Sequence, residues 1–193
     1  MKFKTKKILA AALMVTTFGV SASIDEIMRR AEDISRYQAL LAHSEANIRL
    51  SALDTMLKSS DTTIREIAYA AGISSVDDVT LSITLRNRFN ELNQLTALIH
   101  YPERMESLVS EFRKSNGDFI NFNVDSYNES AGSFRVRSLA RATGPGSGSI
   151  NGLSVSMRQG SCSINASFTE NGLFEGMYFC TDGMSVPVSF RID

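Results

Sequence analysis

The chain has no tryptophan, only two histidines and two cysteines, and three prolines in 193 residues. Without Trp and with few His, there is little material for stacked ligands or for a metal cluster. A structural zinc site takes four ligands, and His43 and His100 stand far from both cysteines in the sequence, so no metal or cofactor is expected. Long apolar runs are equally scarce. The longest, Ile8 to Val20, falls short of the roughly 20 residues that a membrane-crossing helix needs. An excess of basic charge is also missing, which is poor equipment for gripping polyanions.

What the first 22 residues do contain is an export signal. Lys2, Lys4, Lys6 and Lys7 form a basic start, the apolar run follows, and Val20-Ser21-Ala22 supplies the small residues that a signal peptidase requires. Residues 1–22 therefore read as a cleaved signal peptide, with the mature chain beginning near Ser23 and keeping no permanent membrane span. Removing the four lysines leaves 16 basic residues against 21 acidic ones. The expected location is the periplasm or the exterior. In that oxidising setting an even pair of cysteines, Cys162 and Cys180, is expected to form a disulfide.

Apolar spacing divides the remainder near Asn116-Gly117. Residues 23–115 carry helical periodicity and residues 116–193 alternate with a period of two. In the first helix Ile27, Ile34, Leu41 and Ile48 recur every seventh residue, a stripe able to pack on its own domain or to support self-association. Ser59-Ser60-Asp61 interrupts it, and Thr63-Ile64-Arg65-Glu66 has the form of a capping box opening a short helix that stops at Gly72. Ser75-Val76-Asp77-Asp78 offers another N-terminus. From Val79 the residues Ile83, Phe89, Leu92, Leu95, Leu98 and Ile99 read as the face of one long helix, closed by His100 ahead of Pro102. A last helix carries Met105, Leu108, Val109 and Phe112.

Beyond Gly117, Ile120/Phe122/Val124, Phe134/Val136 and Leu153/Val155/Met157 alternate with polar residues and read as half-buried strands. Thr143 to Ser149, rich in Gly and Ser, reads as a flexible loop; it lacks the Lys that a phosphate-binding P-loop requires. Glu170-Asn171-Gly172 separates two alternating runs as a three-residue hairpin loop does, with Gly in the left-handed position. Centring on Asn171 sets Phe168 opposite Phe174, Ile164 opposite Tyr178 and Cys162 opposite Cys180. The final run through Val186, Val188, Phe190 and Ile192 contains Pro187, which points to an edge strand or to a missing N–H turned outward. The fold expected is α+β: an N-terminal bundle or arm of three to four helices, then a five- to six-stranded, mostly antiparallel sheet with a disulfide-pinned hairpin.

The segment Ile64 to Ser75, with Val79, Ile83 and Arg86 to Phe89 after it, resembles the second helix-turn-helix of AraC-type transcription activators. The Ile-Ala-x-x-x-Gly core at Ile67, Ala68 and Gly72 carries the likeness. It implies a DNA-reading helix, yet Ser75–Leu85 holds no Arg or Lys, and Asp77 and Asp78 repel phosphate. A corner in a helical bundle and no nucleic-acid partner are expected. A long N-terminal helix leading into a sheet with a late disulfide also resembles type IV pilins in architecture, although the Gly at the cleavage point and the early Glu of that family are absent.

No catalytic residues emerge. His43 and His100 sit on expected helices, and Glu170, Glu175 and Asp182 gather only near the hairpin. The expected function is that of an exported, non-enzymatic bacterial cell-envelope protein, a structural or assembly component of a surface or secretion apparatus, possibly pilin-like. The alternative is a soluble periplasmic or secreted binding module of inhibitor or adhesin type, using a sheet face or the Gly-rich loop.

Overall fold

A computed structural model of the chain describes residues 19–104, 106–137, 139–140 and 142–192; for residues 19–22 it describes the backbone alone. Most of the signal-peptide expectation and the placing of Met105 lie outside the described residues. The elements run α1 Gly19–Leu41, α2 Ala46–Leu57, α3 Thr62–Ile73, α4 Asp78–Glu91, β1 Gln94–Ile99, α5 Ser107–Asn116, β2 Phe119–Asn128, β3 Ser133–Arg137, β4 Gly146–Asn151, β5 Ser154–Gln159, β6 Cys162–Phe168, β7 Phe174–Cys180 and β8 Ser185–Phe190. The eight strands form a closed antiparallel barrel in sequence order, with β1 paired to β8.

This corrects the expected open sheet of five or six strands, and the correction has two sources. Leu95, Ala97 and Ile99 are buried while Gln94, Thr96 and Leu98 face out, so the end of the supposed long helix is strand β1. Helix α4 stops at Glu91; the spacing of Leu92, Leu95, Leu98 and Ile99 is helical, but the strand period is carried by Leu95, Ala97 and Ile99. The second source is the Gly-rich stretch, where β4 replaces the expected loop. Gly148 lies opposite Phe134, and a Cβ there would stand 2.2 Å from the Phe134 ring. Glycine serves here to make room for an aromatic ring inside a narrow barrel. With eight strands the sheet can close, and an interior of that size is filled by side chains.

The inward residues are accordingly buried throughout: Ile120, Phe122, Val124, Val136, Met157, Ile164, Phe174, Tyr178, Val186 and Val188 are at most 2% exposed. Both ends are plugged. At one, Phe89 of α4 enters between Phe134 and Phe174, with ring centroids 5.5 and 5.8 Å away. At the other, Phe112 of α5 stacks on Tyr178 at 5.6 Å. Pairs of this kind contribute about 0.5–1.5 kcal/mol beyond their burial.

Closure also removes the edge expected at Pro187. Strand β8 lies between β7 and β1. The Pro187 carbonyl accepts from His100 N–H at 2.9 Å, so the missing donor falls just where β1 runs out. The hairpin register matches the one centred on Asn171, with Phe168 opposite Phe174, Ile164 opposite Tyr178 and Cys162 opposite Cys180. Gly172 sits at φ +74°, and its N–H donates to the Thr169 carbonyl.

The helical unit differs from the expected one in its joints. The seven-residue stripe does not lie on one helix: α1 ends at Leu41 and Ile48 belongs to α2. His43 lies in the turn between them. Asp61, rather than a Thr63–Glu66 box, caps α3, its Oδ1 accepting from Thr63 N–H at 2.9 Å. Asp77 caps α4 through Thr80 N–H at 2.8 Å, as Ser75 to Asp78 suggested. Leu53, Met56, Leu57, Ala68 and Tyr69 form a second core, onto which Tyr37 and Leu41 of α1 pack.

Helix α4 joins the two cores. Its Leu85 and Phe89 belong to the barrel core, while Ile83 packs on the helical one. Arg88 donates to the Ile192 carbonyl at 2.7 Å and lies over the Tyr69 ring. Arg86 donates to the Glu129 carbonyl at 2.6 Å, beyond a bulge in β2 where Ser126 takes φ +53°.

Candidate functional site

Inward positions of the barrel are taken up by packing, so its chemistry is on the outside. Alternation along the strands fixes what faces out, and the two sides differ. On β4, β5 and β6 the outward residues include Ser147, Ser149, Asn151, Ser154, Ser156, Ser163, Asn165 and Ser167. Ser149 Oγ and Ser156 Oγ are 3.3 Å apart, and Ser154 Oγ and Ser167 Oγ 3.1 Å. A shallow groove runs over this hydroxyl and amide wall and ends at Glu175.

The other wall is apolar. Leu98, Phe119, Met177 and Phe179 are exposed by 38, 53, 40 and 37%, and no other large hydrophobic residue of the barrel strands is as exposed among the described residues. The register brings them together across four adjacent strands. Leu98 of β1 is opposite Phe119 of β2 and Ser189 of β8, while Met177 of β7 is opposite the exposed Pro187 of β8. Asn121 and Thr96 on one side, and Asn165 and Ser167 on the other, give the strip a polar border, and Glu175, opposite Ser189, adds a carboxylate in the row of Leu98 and Phe119. An apolar centre inside a polar rim is the anatomy of a protein contact surface.

His100, placed by its sequence at a helix end, follows β1 and lies in this strip. Its Nε2 shares a hydrogen bond of 2.7 Å with Ser189 Oγ. This serine–histidine pair spans 89 residues, and spacing along the chain could not reveal it. Ser189 is only 7% exposed, and no carboxylate among the described residues is hydrogen-bonded to the other ring nitrogen. A nucleophilic serine needs an accessible oxygen and an oriented base; this bond ties the exposed imidazole to the wall. Next to it, Tyr101 OH donates to the Gly117 carbonyl at 2.6 Å and the Arg113 guanidinium lies 4.8 Å over the Tyr101 ring. Burial pushes the Tyr101 phenol above its ordinary pKa.

Cys162 and Cys180 are bonded and face the interior near the α5 end. Beside them Gln159 fastens the connection between β3 and β4: its Oε1 accepts from Leu139 N–H at 2.8 Å and its Nε2 donates to the Gly144 carbonyl at 2.7 Å. Tyr178 OH donates to the Ala140 carbonyl. Ile34 and Leu41 are half-buried, whereas Ile27 is 64% exposed. In the segment resembling a DNA-reading motif, Gly72 meets Thr84 at the crossing of α3 and α4.

Among the described residues no three His, Cys, Asp or Glu side chains are grouped as metal ligands, and no helix is long and apolar enough to cross a membrane. Comparison with known protein families, curated proteins and solved structures finds no match. The apolar wall is not legible in the sequence because Leu98 fits a helical spacing, and Phe119, Met177 and Phe179 fall on the strand face opposite the alternating buried residues. The available signal was Met177 and Phe179 at outward positions of β7, out of phase with Phe174, Tyr178 and Cys180.

Proposed function

We propose that the chain is an exported bacterial cell-envelope protein that works without catalysis, as a structural or assembly component docking a protein partner on the apolar wall. The observation that supports this reading most is the gathering of Leu98, Phe119, Met177 and Phe179 on one side of a barrel whose opposite side is hydroxyl-rich. A basic, then apolar, then small-residue stretch over residues 1–22 supports export, and the bonded cysteines suit an oxidising compartment. The pilin-like version is not carried forward, because its architectural basis was a helix leading into an open sheet. A photo-crosslinking residue at Met177 or at Phe119, introduced in intact cells, is expected to give the same discrete adduct, and one at Ser156 none. Equal labelling from all three positions, or from none, contradicts the reading.

A second reading is favoured by the groove on the hydroxyl wall. A free periplasmic or secreted binding module would hold its ligand along Ser149, Ser154, Ser156, Asn165 and Ser167. In that case Ser156, not Met177, marks the contact, and the protein leaves the envelope fraction on gentle lysis.

A further inference from the structure

Helix α1 is longer than the body it packs on. Arg30 forms an ion pair with Asp61 at the start of α3, and Tyr37 and Leu41 pack on the helical core, so one side of α1 is held from about Arg30 onward. Another side is covered by none of the described residues. At 100° per residue, Ile24, Met28, Ala31, Ser35 and Ala39 fall on one stripe, turned by more than a right angle from the held side. All five are exposed, with Ile24 at 54% and Met28 at 58%, and Ile27 beside them at 64%. The stripe lies beyond Ala22, so the mature chain retains it.

The stripe is graded in size and is complementary to itself when reversed. Its large residues, Ile24, Ile27 and Met28, stand at the N-terminal end, and its small ones, Ser35 and Ala39, at the other. Ser35 Oγ donates to the Ala31 carbonyl at 2.9 Å, so its hydroxyl is satisfied within the helix and can face an apolar neighbour. One flank carries Asp25, Arg29, Glu32 and Arg36. None of these four enters an ion pair among the described residues.

We propose that two copies of the chain associate through this stripe, with their α1 helices antiparallel about a two-fold axis at Ala31. In that arrangement like flanks of the two helices adjoin. Asp25 meets the partner's Arg36, Glu32 meets the partner's Arg29, and each contact occurs twice. Met28 packs against the partner's Ser35, which places bulk against a gap. A parallel pair would put the two charged flanks on opposite sides of the seam, where Asp25 and Arg36 of the two copies do not meet. The contact is isologous and closed, as in most homodimers. It uses a surface separate from the apolar wall of the barrel, and purified protein alone tests it.

Protein recovered from cells expressing the full chain is examined by sedimentation equilibrium at up to about 100 µM. The expected result is a dimer whose dissociation constant rises about tenfold or more with Met28→Glu. Asp25→Arg and Arg36→Asp should each weaken it, and the two together should restore it. These side chains are exposed, so far-ultraviolet circular dichroism is expected to stay unchanged in every variant. A monomeric wild type, a dimer indifferent to Met28→Glu, or a double charge exchange no better than the single ones overturns the proposal.

Discussion

Gly72 and Thr84 stand so close that a Cβ on Gly72 would lie 1.9 Å from Thr84 Oγ1. Thr84 is fully buried and its hydroxyl donates to the Thr80 carbonyl at 2.8 Å, so it cannot swing away freely. The glycine therefore sets how closely α3 approaches α4. Gly72→Ala should cost about 1–3 kcal/mol, as overpacking of a filled contact does. Thermal unfolding measures the loss, and adding Thr84→Ala should recover part of it; an alanine at 72 tolerated at no cost would contradict the crossing.

That glycine illustrates what could be read in advance and what could not. The sequence marks Gly72 as the end of a helix, whereas its reason for being glycine lies 12 residues away on another helix. Local signals were readable where one period or one turn decided the outcome: the Asn171–Gly172 turn, the cysteine register and the Asp77 cap. The barrel was not, because its closure depends on two strands with misleading local chemistry. Leu92, Leu95, Leu98 and Ile99 satisfy a helical spacing, while the strand period rests on Leu95, Ala97 and Ile99, and Gly146 and Gly148 resemble a loop until Val136 and Phe134 are known to lie across from them. Of the candidate site, Leu98, Phe119, Met177 and Phe179 become one surface only through pairings between distant strands.

Gly148 offers a test of that closure. A side chain there must displace the Phe134 ring, which stacks on Phe89 at the plugged end. Gly148→Val should destabilise the protein by about 2 kcal/mol or more, and the amide of Ile150, bonded to the Gly132 carbonyl at 2.8 Å, should be protected from hydrogen exchange in the wild type. A mobile loop would accept valine and exchange rapidly.

Acid should loosen the helical unit before the barrel. The Arg30 guanidinium, with help from Thr63 and Ile64 N–H, holds the Asp61 carboxyl below its ordinary range, and the Thr80 hydroxyl and N–H do the same for Asp77. A carboxyl whose folded pKa is depressed adds stability that is present above its unfolded pKa of about 3.9 and lost as pH falls through the folded value. Helical circular dichroism should therefore decline below about pH 4 ahead of the near-ultraviolet signal of the barrel aromatics. Asp61→Asn should flatten the acid limb; an unchanged limb would remove the Arg30 contact from the account.

The bridge should matter to the barrel more than to the helices. Replacing both cysteines, Cys162→Ala with Cys180→Ala, should cost about 2–4 kcal/mol, seen as an earlier loss of barrel structure in denaturant. Gly172→Val should also be costly, since a β-branched residue resists φ +74°. A reduced protein as stable as the oxidised one would detach the disulfide from the stability of the fold.

Export into an oxidising compartment is the claim on which the proposed function rests, and one mass measurement addresses it. Protein is taken from fractionated cells, and its intact mass and non-reducing peptide map are recorded together. The expected result is a chain that begins near Ser23, recovered outside the cytoplasm, with a peptide joining Cys162 to Cys180. A chain that begins at Met1 in the cytoplasmic fraction with two free thiols would contradict it.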